Sequence, residues 1–239
     1  MDFDWYPIEQ VREEFPALQR IENDHFVAYF DGPGGTQVAR SVIEAIATYM
    51  KNGVANLGGV YPTSQETAMI VDEAREHVAV LLGTKKENIA FGANMTSLAF
   101  KIARTISRNW DQGNIVVTEM DHHANIDPWV TAATDKNLTI NKIPLNKETT
   151  TLNYDDLTAL INEDTKLVAI GLASNAIGTI NDFELVIKRA KEVGALVALD
   201  GVHAVPHFSV DFSELGADFL FCSAYKFFGP HVGMVAIHE

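Results

Sequence analysis

The chain has 239 residues, 47% hydrophobic and 21% charged, which suits one large globular domain or a close-packed pair and excludes a disordered or low-complexity chain. The net charge of −14 argues against nucleic-acid binding through a general electrostatic field, but leaves room for a small anionic ligand held by local backbone N–H groups. A single cysteine, Cys222, excludes an internal disulfide framework and a cysteine-rich metal centre.

The first stretch, MDFDWYPIEQVREEF, has acidic residues where a secretory leader needs basic ones, and no apolar core follows it. No run approaches membrane-spanning length, so a soluble, cytoplasmic protein is expected. Residues 1–30 read as an N-terminal segment and 31–239 as the main domain. Next, TQVARSVIEAIATYMKNG reads as a helix capped by Thr36, with Val38, Val42, Ile46 and Met50 on one face and Gly53 after the last turn. TSQETAMIVDEAREHVAVLLG reads as a second amphipathic helix, closed by Gly83. Strand-like runs then alternate with helical ones. The strands are NIAFG, NIVVTEM, LTINKIPL, KLVAIGLAS, ALVALDG, DFLFCSA and GMVAIHE; the helices include TSLAFKIARTISRNW, YDDLTALIN and DFELVIKRAKEVG. Several strands are nearly continuous apolar runs, which suits burial on both faces. The expected fold is therefore α/β, with a mostly parallel central sheet and helices on both faces.

In open α/β sheets, ligands bind outside the C-terminal strand ends. Five runs deliver polar groups there. Asn94, Met95, Thr96 and Ser97 follow the first. Asp121, His122, His123 and Asn125 follow the second. Asn175, with Gly178 close behind, follows KLVAIGLAS. Asp200 and His203 follow ALVAL. Ser223, Tyr225 and Lys226 follow DFLFC. Each has a plain structural use: a helix cap, a turn carboxylate before Gly201, a hydrogen-bonded loop residue or a surface lysine. Adjacent His122 and His123 point to opposite sides of an extended chain, which does not suit one metal ion, and no metal is expected. Cys222 reads as a small core hydrophobe.

Taken together, the set suits pyridoxal phosphate. A lysine amine forms a Schiff base with the cofactor aldehyde, and a carboxylate keeps the pyridine nitrogen protonated. Lys226 suits the first task and Asp200 the second. Met95, Thr96 and Ser223 suit the phosphate, His122 the ring face, and Asn175 with His203 the ring hydroxyl. The motifs TEMDHHANIDPW, ASNAIGTI, ALVALDGVHAVPH and CSAYKFFGP resemble the class V aminotransferase family of fold-type I pyridoxal-phosphate enzymes. The branch they resemble contains cysteine desulfurases and selenocysteine lyases. The resemblance runs from YFDGPGGTQ to the end of the chain.

The resemblance implies that residues 31–239 are the cofactor-binding large domain, and that the C-terminal small domain, with the mobile loop bearing the sulfur-accepting cysteine, lies outside these residues. It also implies a catalytic set of Lys226, His122 and Asp200, and a cofactor set of Met95, Thr96, His122, Asn175, Asp200, His203, Ser223, Tyr225 and Lys226. It implies a homodimer acting on a small amino acid, with a sulfur-acceptor protein for the full-length form. Little turnover is expected from these residues alone.

Three positions depart from the desulfurase pattern. His203 stands in place of Gln, Tyr225 in place of the His before the lysine, and Asn94-Met95-Thr96-Ser97 in place of Gly-(Thr/Ala)-Thr-Glu. Tyr225 is expected to reach phosphate through its phenol, and Asn94 to replace Gly by tolerating positive φ. The substrate therefore stays open between C–S or C–Se cleavage, transamination and Cβ elimination; a non-catalytic remnant also stays open. A nucleotide-binding α/β protein is the contrasting reading, but neither G-x-G-x-x-G nor G-x-x-x-x-G-K-[ST] occurs, and FDGPGG fits neither.

Overall fold

The computed structural model describes residues 6–238, so residues 1–5 of the N-terminal segment and the last residue of GMVAIHE lie outside the described residues. The chain divides into two compact units. One is Met1–Ala74 with Ala224–His231; the other is Arg75–Ser223 with Val232–Glu239.

The first unit is built from short pieces: a helix over Ile8–Glu13, a two-stranded ribbon of Ile21–Glu22 with His25–Phe26, and helix α1, Arg40–Asn52. Helix α1 starts later than the sequence suggests. Its N-cap position is Ala39, not Thr36. The Thr36 hydroxyl is engaged elsewhere, donating to the Tyr225 carbonyl at 3.1 Å and accepting from the Phe228 N–H at 2.7 Å. The C-terminal signal is as expected, with Gly53 at φ 107°, where a side chain would be strained. Among the described residues, Ile43, Ile46 and Met50 on the apolar side of α1 are all exposed. Helix α2, Pro62–Leu82, begins in this unit and ends in the second, stopping before Gly83 as the sequence indicates.

The second unit holds a seven-stranded sheet. Its strands are β1 (Ile89–Gly92), β2 (Asn114–Thr118), β3 (Thr139–Ile143), β4 (Thr165–Gly171), β5 (Leu196–Asp200), β6 (Phe219–Ser223) and β7 (Gly233–Ile237). They lie in the order β1-β7-β6-β5-β4-β2-β3. Neighbours from β6 through to β3 are parallel, and β7 runs antiparallel to both β6 and β1. Six strands therefore point one way, and the five strand ends singled out in the sequence share one edge. Side chains alternate between faces. Ile115, Val117, Leu167, Ala169, Ala198, Phe219, Phe221 and Val235 enter one core cluster with Leu98, Ala99, Ala103, Trp129 and Ala133. Those last residues belong to helices α3 (Met95–Ile106) and α4 (Asp127–Asp135). The alternate set, including Val168, Ile170, Val197 and Leu199, faces the other side, where helix α5, Phe183–Glu192, packs on β4 and β5.

Two further details differ from the sequence reading. YDDLTALIN forms only one helical turn, Leu157–Leu160. The chain is drawn out of it by a turn in which the Asn162 N–H donates to Thr165 Oγ1 and the Thr165 N–H to the Asn162 carbonyl. Helix α4 also lies outside the expected helices. Among the described residues, no helix is long and apolar enough to cross a membrane.

Candidate functional site

At the shared edge of the second unit, β1 leads into α3. Asn94 caps this helix. Its Oδ1 accepts the Ser97 N–H at 2.8 Å, and Ser97 Oγ reciprocates toward the Asn94 backbone, closing a capping box. Asn94 has φ −165°, so it is extended, and the expectation that it replaces glycine through positive φ is corrected: it serves as a cap. Met95 is the first helical residue, and its N–H donates to Ser223 Oγ at 3.0 Å. The structure thus brings two of the predicted phosphate groups into contact, from the start of α3 and the end of β6. This closeness depends on Gly233 of β7, where an added Cβ would lie 2.2 Å from the Asn94 carbonyl carbon. Thr96 is half-buried in the first turn.

Asp200 ends β5, paired with Gly171 on one side and Phe221 on the other. Its Oδ1 accepts the Val202 N–H at 2.9 Å, and His203 follows, half-buried. Cys222 lies beside it on β6 with no exposed surface, and burial first, then the Asp200 charge, pushes its thiol up to about 12. His122 is exposed after β2. Its Nδ1 accepts the Ala124 N–H at 3.0 Å, which assigns the ring proton to Nε2. His123 turns instead toward Asp127, at 3.3 Å. Asn175 sits half-buried in the turn after β4, which Gly178 (φ 73°) closes through its N–H to the Ser174 carbonyl.

Asp121 is the residue whose weight the sequence concealed. Its carboxylate accepts the Gly171 N–H at 2.8 and 3.0 Å and Asn125 Nδ2 at 2.9 Å, tying the His122 loop to the end of β4. Gly171 has no room for a Cβ, which would lie 2.8 Å from Asp121 Oδ1. Asn181 extends the network, donating to the Gly171 carbonyl at 2.8 Å. Burial pushes the Asp121 carboxyl up to about 6, against the lowering effect of these hydrogen bonds. Only its place just past the end of β2 hints at this role in the sequence.

In the first unit, the turn Ala224–Lys226 carries the predicted lysine, which is only 9% exposed. Lys226 Nζ donates to the Pro33 carbonyl and lies 4.6 Å from the centre of the Tyr225 ring. Tyr225 stacks on His231, with centroids 4.3 Å apart and planes 9° from parallel. Within the second unit, the helix N-terminus beside the Ser223 hydroxyl is an arrangement that suits an anion; within the first, the lysine amine is held in a buried turn.

Residues 28–239 match the aminotransferase class-V family. The chain belongs to the class V aminotransferase family. Pyridoxal phosphate is the cofactor of that family's enzymes. A cysteine desulfurase of Pectobacterium carotovorum subsp. carotovorum is 34% identical over 229 residues, covering 94% of this chain and 56% of the relative. The aminotransferase-like protein FGM3 of Gibberella zeae is 34% identical over 236 residues, covering 96% and 57%. Among solved structures, the apo cysteine desulfurase of Thermococcus onnurineus NA1 matches with TM-score 0.87 and 31% identity, over 97% of this chain and 57% of that one. The fold is thus that of the fold-type I class V aminotransferases, and the chain spans little more than half the length of the relatives it matches.

Proposed function

We propose that residues 31–239 form the pyridoxal-phosphate-binding large domain of a cysteine desulfurase-like enzyme, one that cleaves the C–S bond of cysteine or the C–Se bond of selenocysteine. The observation that carries the reading is Lys226, a lysine only 9% exposed directly after a strand whose last residue, Ser223, already meets the N-terminus of α3. Lysine is seldom buried without a task. In this reading, Lys226 would hold the cofactor aldehyde and carry the substrate Cα proton. The Met95 N–H, Thr96 and Ser223 would hold the phosphate, and Tyr225 would belong to the same cofactor set. Asp200 would keep the pyridine nitrogen protonated. His122 would serve the ring face, and Asn175 and His203 the ring hydroxyl. When bound, pyridoxal phosphate supplies an electron sink for the pair left at Cα.

Desulfuration also needs a thiolate to take the sulfur. Cys222 is unsuited, being buried with its thiol pushed up to about 12, so the nucleophile would come from outside these residues. The same reading takes the enzyme as a cytoplasmic homodimer that passes sulfur to an acceptor protein. The exposed apolar residues Met50, Val60 and Met69 in the first unit support the dimer. Transamination and Cβ elimination need no thiol, and the aminotransferase-like relative keeps them as the second reading.

Product analysis separates the readings. With pyridoxal phosphate, L-cysteine and an excess of dithiothreitol, which takes the sulfur and reduces it, desulfuration yields alanine and sulfide, elimination yields pyruvate, ammonia and sulfide, and transamination yields a keto acid catalytically only when an acceptor is present. Slow alanine formation that is lost in Lys226→Ala is expected. Pyruvate or acceptor-dependent keto acid as the main product would overturn the desulfurase assignment.

A further inference from the structure

The glycine-rich stretch FDGPGG matches no nucleotide motif, yet it meets the turn that carries Lys226. The Pro33 carbonyl accepts from Lys226 Nζ. Gly35, at φ 152°, lies against Tyr225, where an added Cβ would come 3.2 Å from Cδ2. Thr36 then clamps the lysine turn. Its N–H donates to the Tyr225 carbonyl at 2.8 Å, and its hydroxyl bridges that carbonyl and the Phe228 N–H. Phe228 has φ 71°, costly for a bulky residue and retained because this bridge fixes it.

Within the clamp, the Tyr225 ring lies against the Gly35 backbone, the stacked His231 imidazole at 4.3 Å, and Lys226 Nζ at 4.6 Å from the ring centre. The last distance falls within the roughly 6 Å reach of a cation–π contact, which strengthens where water is excluded. A ring held on its edge and its face has little rotational freedom. It therefore presents a fixed π face to the Lys226 side chain, whose amine also donates to the Pro33 carbonyl.

We propose that Tyr225 is a positioning residue whose ring, not its hydroxyl, sets the direction of the Lys226 amine, with Gly35 providing its space and His231 its brace. This explains how Tyr225 serves where the family pattern has His. An imidazole would act through charge and hydrogen bonds, whereas the phenol ring acts through its face. The proposal rests on the reading of Lys226 as the cofactor lysine, but the contact itself belongs to the chain without cofactor.

Trace labelling of the cofactor-free chain with acetic anhydride, read at Lys226 by mass spectrometry against exposed lysines such as Lys101 as internal controls, tests the contact. Tyr225→Leu should raise Lys226 labelling on the order of tenfold and Tyr225→Phe less than about twofold, with the controls unmoved. His231→Ala, which keeps the ring but removes its brace, should give an intermediate rise and serves if Tyr225→Leu does not fold. Parallel borohydride trapping with pyridoxal and with pyridoxal phosphate distinguishes ring from hydroxyl. A ring role changes the attachment of both aldehydes in Tyr225→Leu and of neither in Tyr225→Phe. Tyr225→Phe matching Tyr225→Leu, a defect confined to the phosphorylated aldehyde, or unchanged labelling in both Tyr225→Leu and His231→Ala would overturn the proposal. Labelling that follows the expected pattern while neither aldehyde attaches to Lys226 would uphold the platform and reject the cofactor reading instead.

Discussion

Replacing Asp121 with asparagine should change how stability depends on pH. The Asp121 carboxyl is pushed up to about 6 by burial, although the Gly171 N–H and Asn125 Nδ2 both hydrogen-bond to its charged form. An unfolded aspartate titrates near about 3.9, so the displacement weights the two protonation states by up to about 3 kcal/mol. Because the side chain is not sealed from water, about 1–3 kcal/mol is the working range. The folded pKa lies above the unfolded one. The contribution is therefore fully present below about pH 4 and is lost as pH rises through about 6. Asparagine keeps the shape and cannot ionise, so the variant lacks this loss. It surrenders one acceptor, which sets a constant offset of about 1 kcal/mol. Urea unfolding of both chains from pH 4 to 8, followed by tryptophan fluorescence, to which Trp129 contributes, measures the difference. Trp129 is fully buried and its Nε1 lies 3.4 Å from Asn125 Oδ1, so it reports on this network. Wild type should lose about 1–3 kcal/mol relative to Asp121→Asn across that range. A gap constant with pH, or one that moves in favour of wild type as pH rises, would refute the argument.

Gly233→Ala would place a Cβ 2.2 Å from backbone of Asn94, and neither strand β7 nor the start of α3 can yield cheaply. A loss on the order of 3 kcal/mol is expected in thermal or denaturant unfolding; unchanged stability would contradict the packing described. Asn94→Ala removes a helix cap and should cost about 1 kcal/mol, measured the same way. Cys222, buried with its thiol pushed up to about 12, should resist a disulfide reagent at pH 8 in the native chain and react fully in denaturant. Reaction at the rate of an exposed thiol would contradict its placement.

The strands were legible because β2, β4, β5 and β6 are apolar runs of strand length bounded by turn residues, and sheet topology then put their polar successors on one edge. What escaped the sequence depended on contacts distant along the chain. Thr36 looks like a helix cap until its hydroxyl is found bridging residues 225 and 228. Asn94 looks like a substitute glycine, but its side chain caps the helix from an extended backbone. Asp121 looks like one more polar loop residue, and its importance comes from the Gly171 N–H fifty residues away. Helix α4 begins at Asp127-Pro128, a recognisable start, and its apolar positions Trp129, Ala132 and Ala133 have helical spacing; that signal was present in the sequence. The exposed apolar face of α1 has the opposite origin. The pattern is amphipathic, yet Ile43, Ile46 and Met50 stay exposed among the described residues.

The central claim is that Lys226 binds pyridoxal phosphate covalently. The most direct measurement is the visible absorption spectrum of the purified chain with added pyridoxal phosphate, repeated on Lys226→Ala. A yellow band in the wild type that is lost in the variant is the predicted result. No band in the wild type, or a band that survives the substitution, would contradict the role given to Lys226.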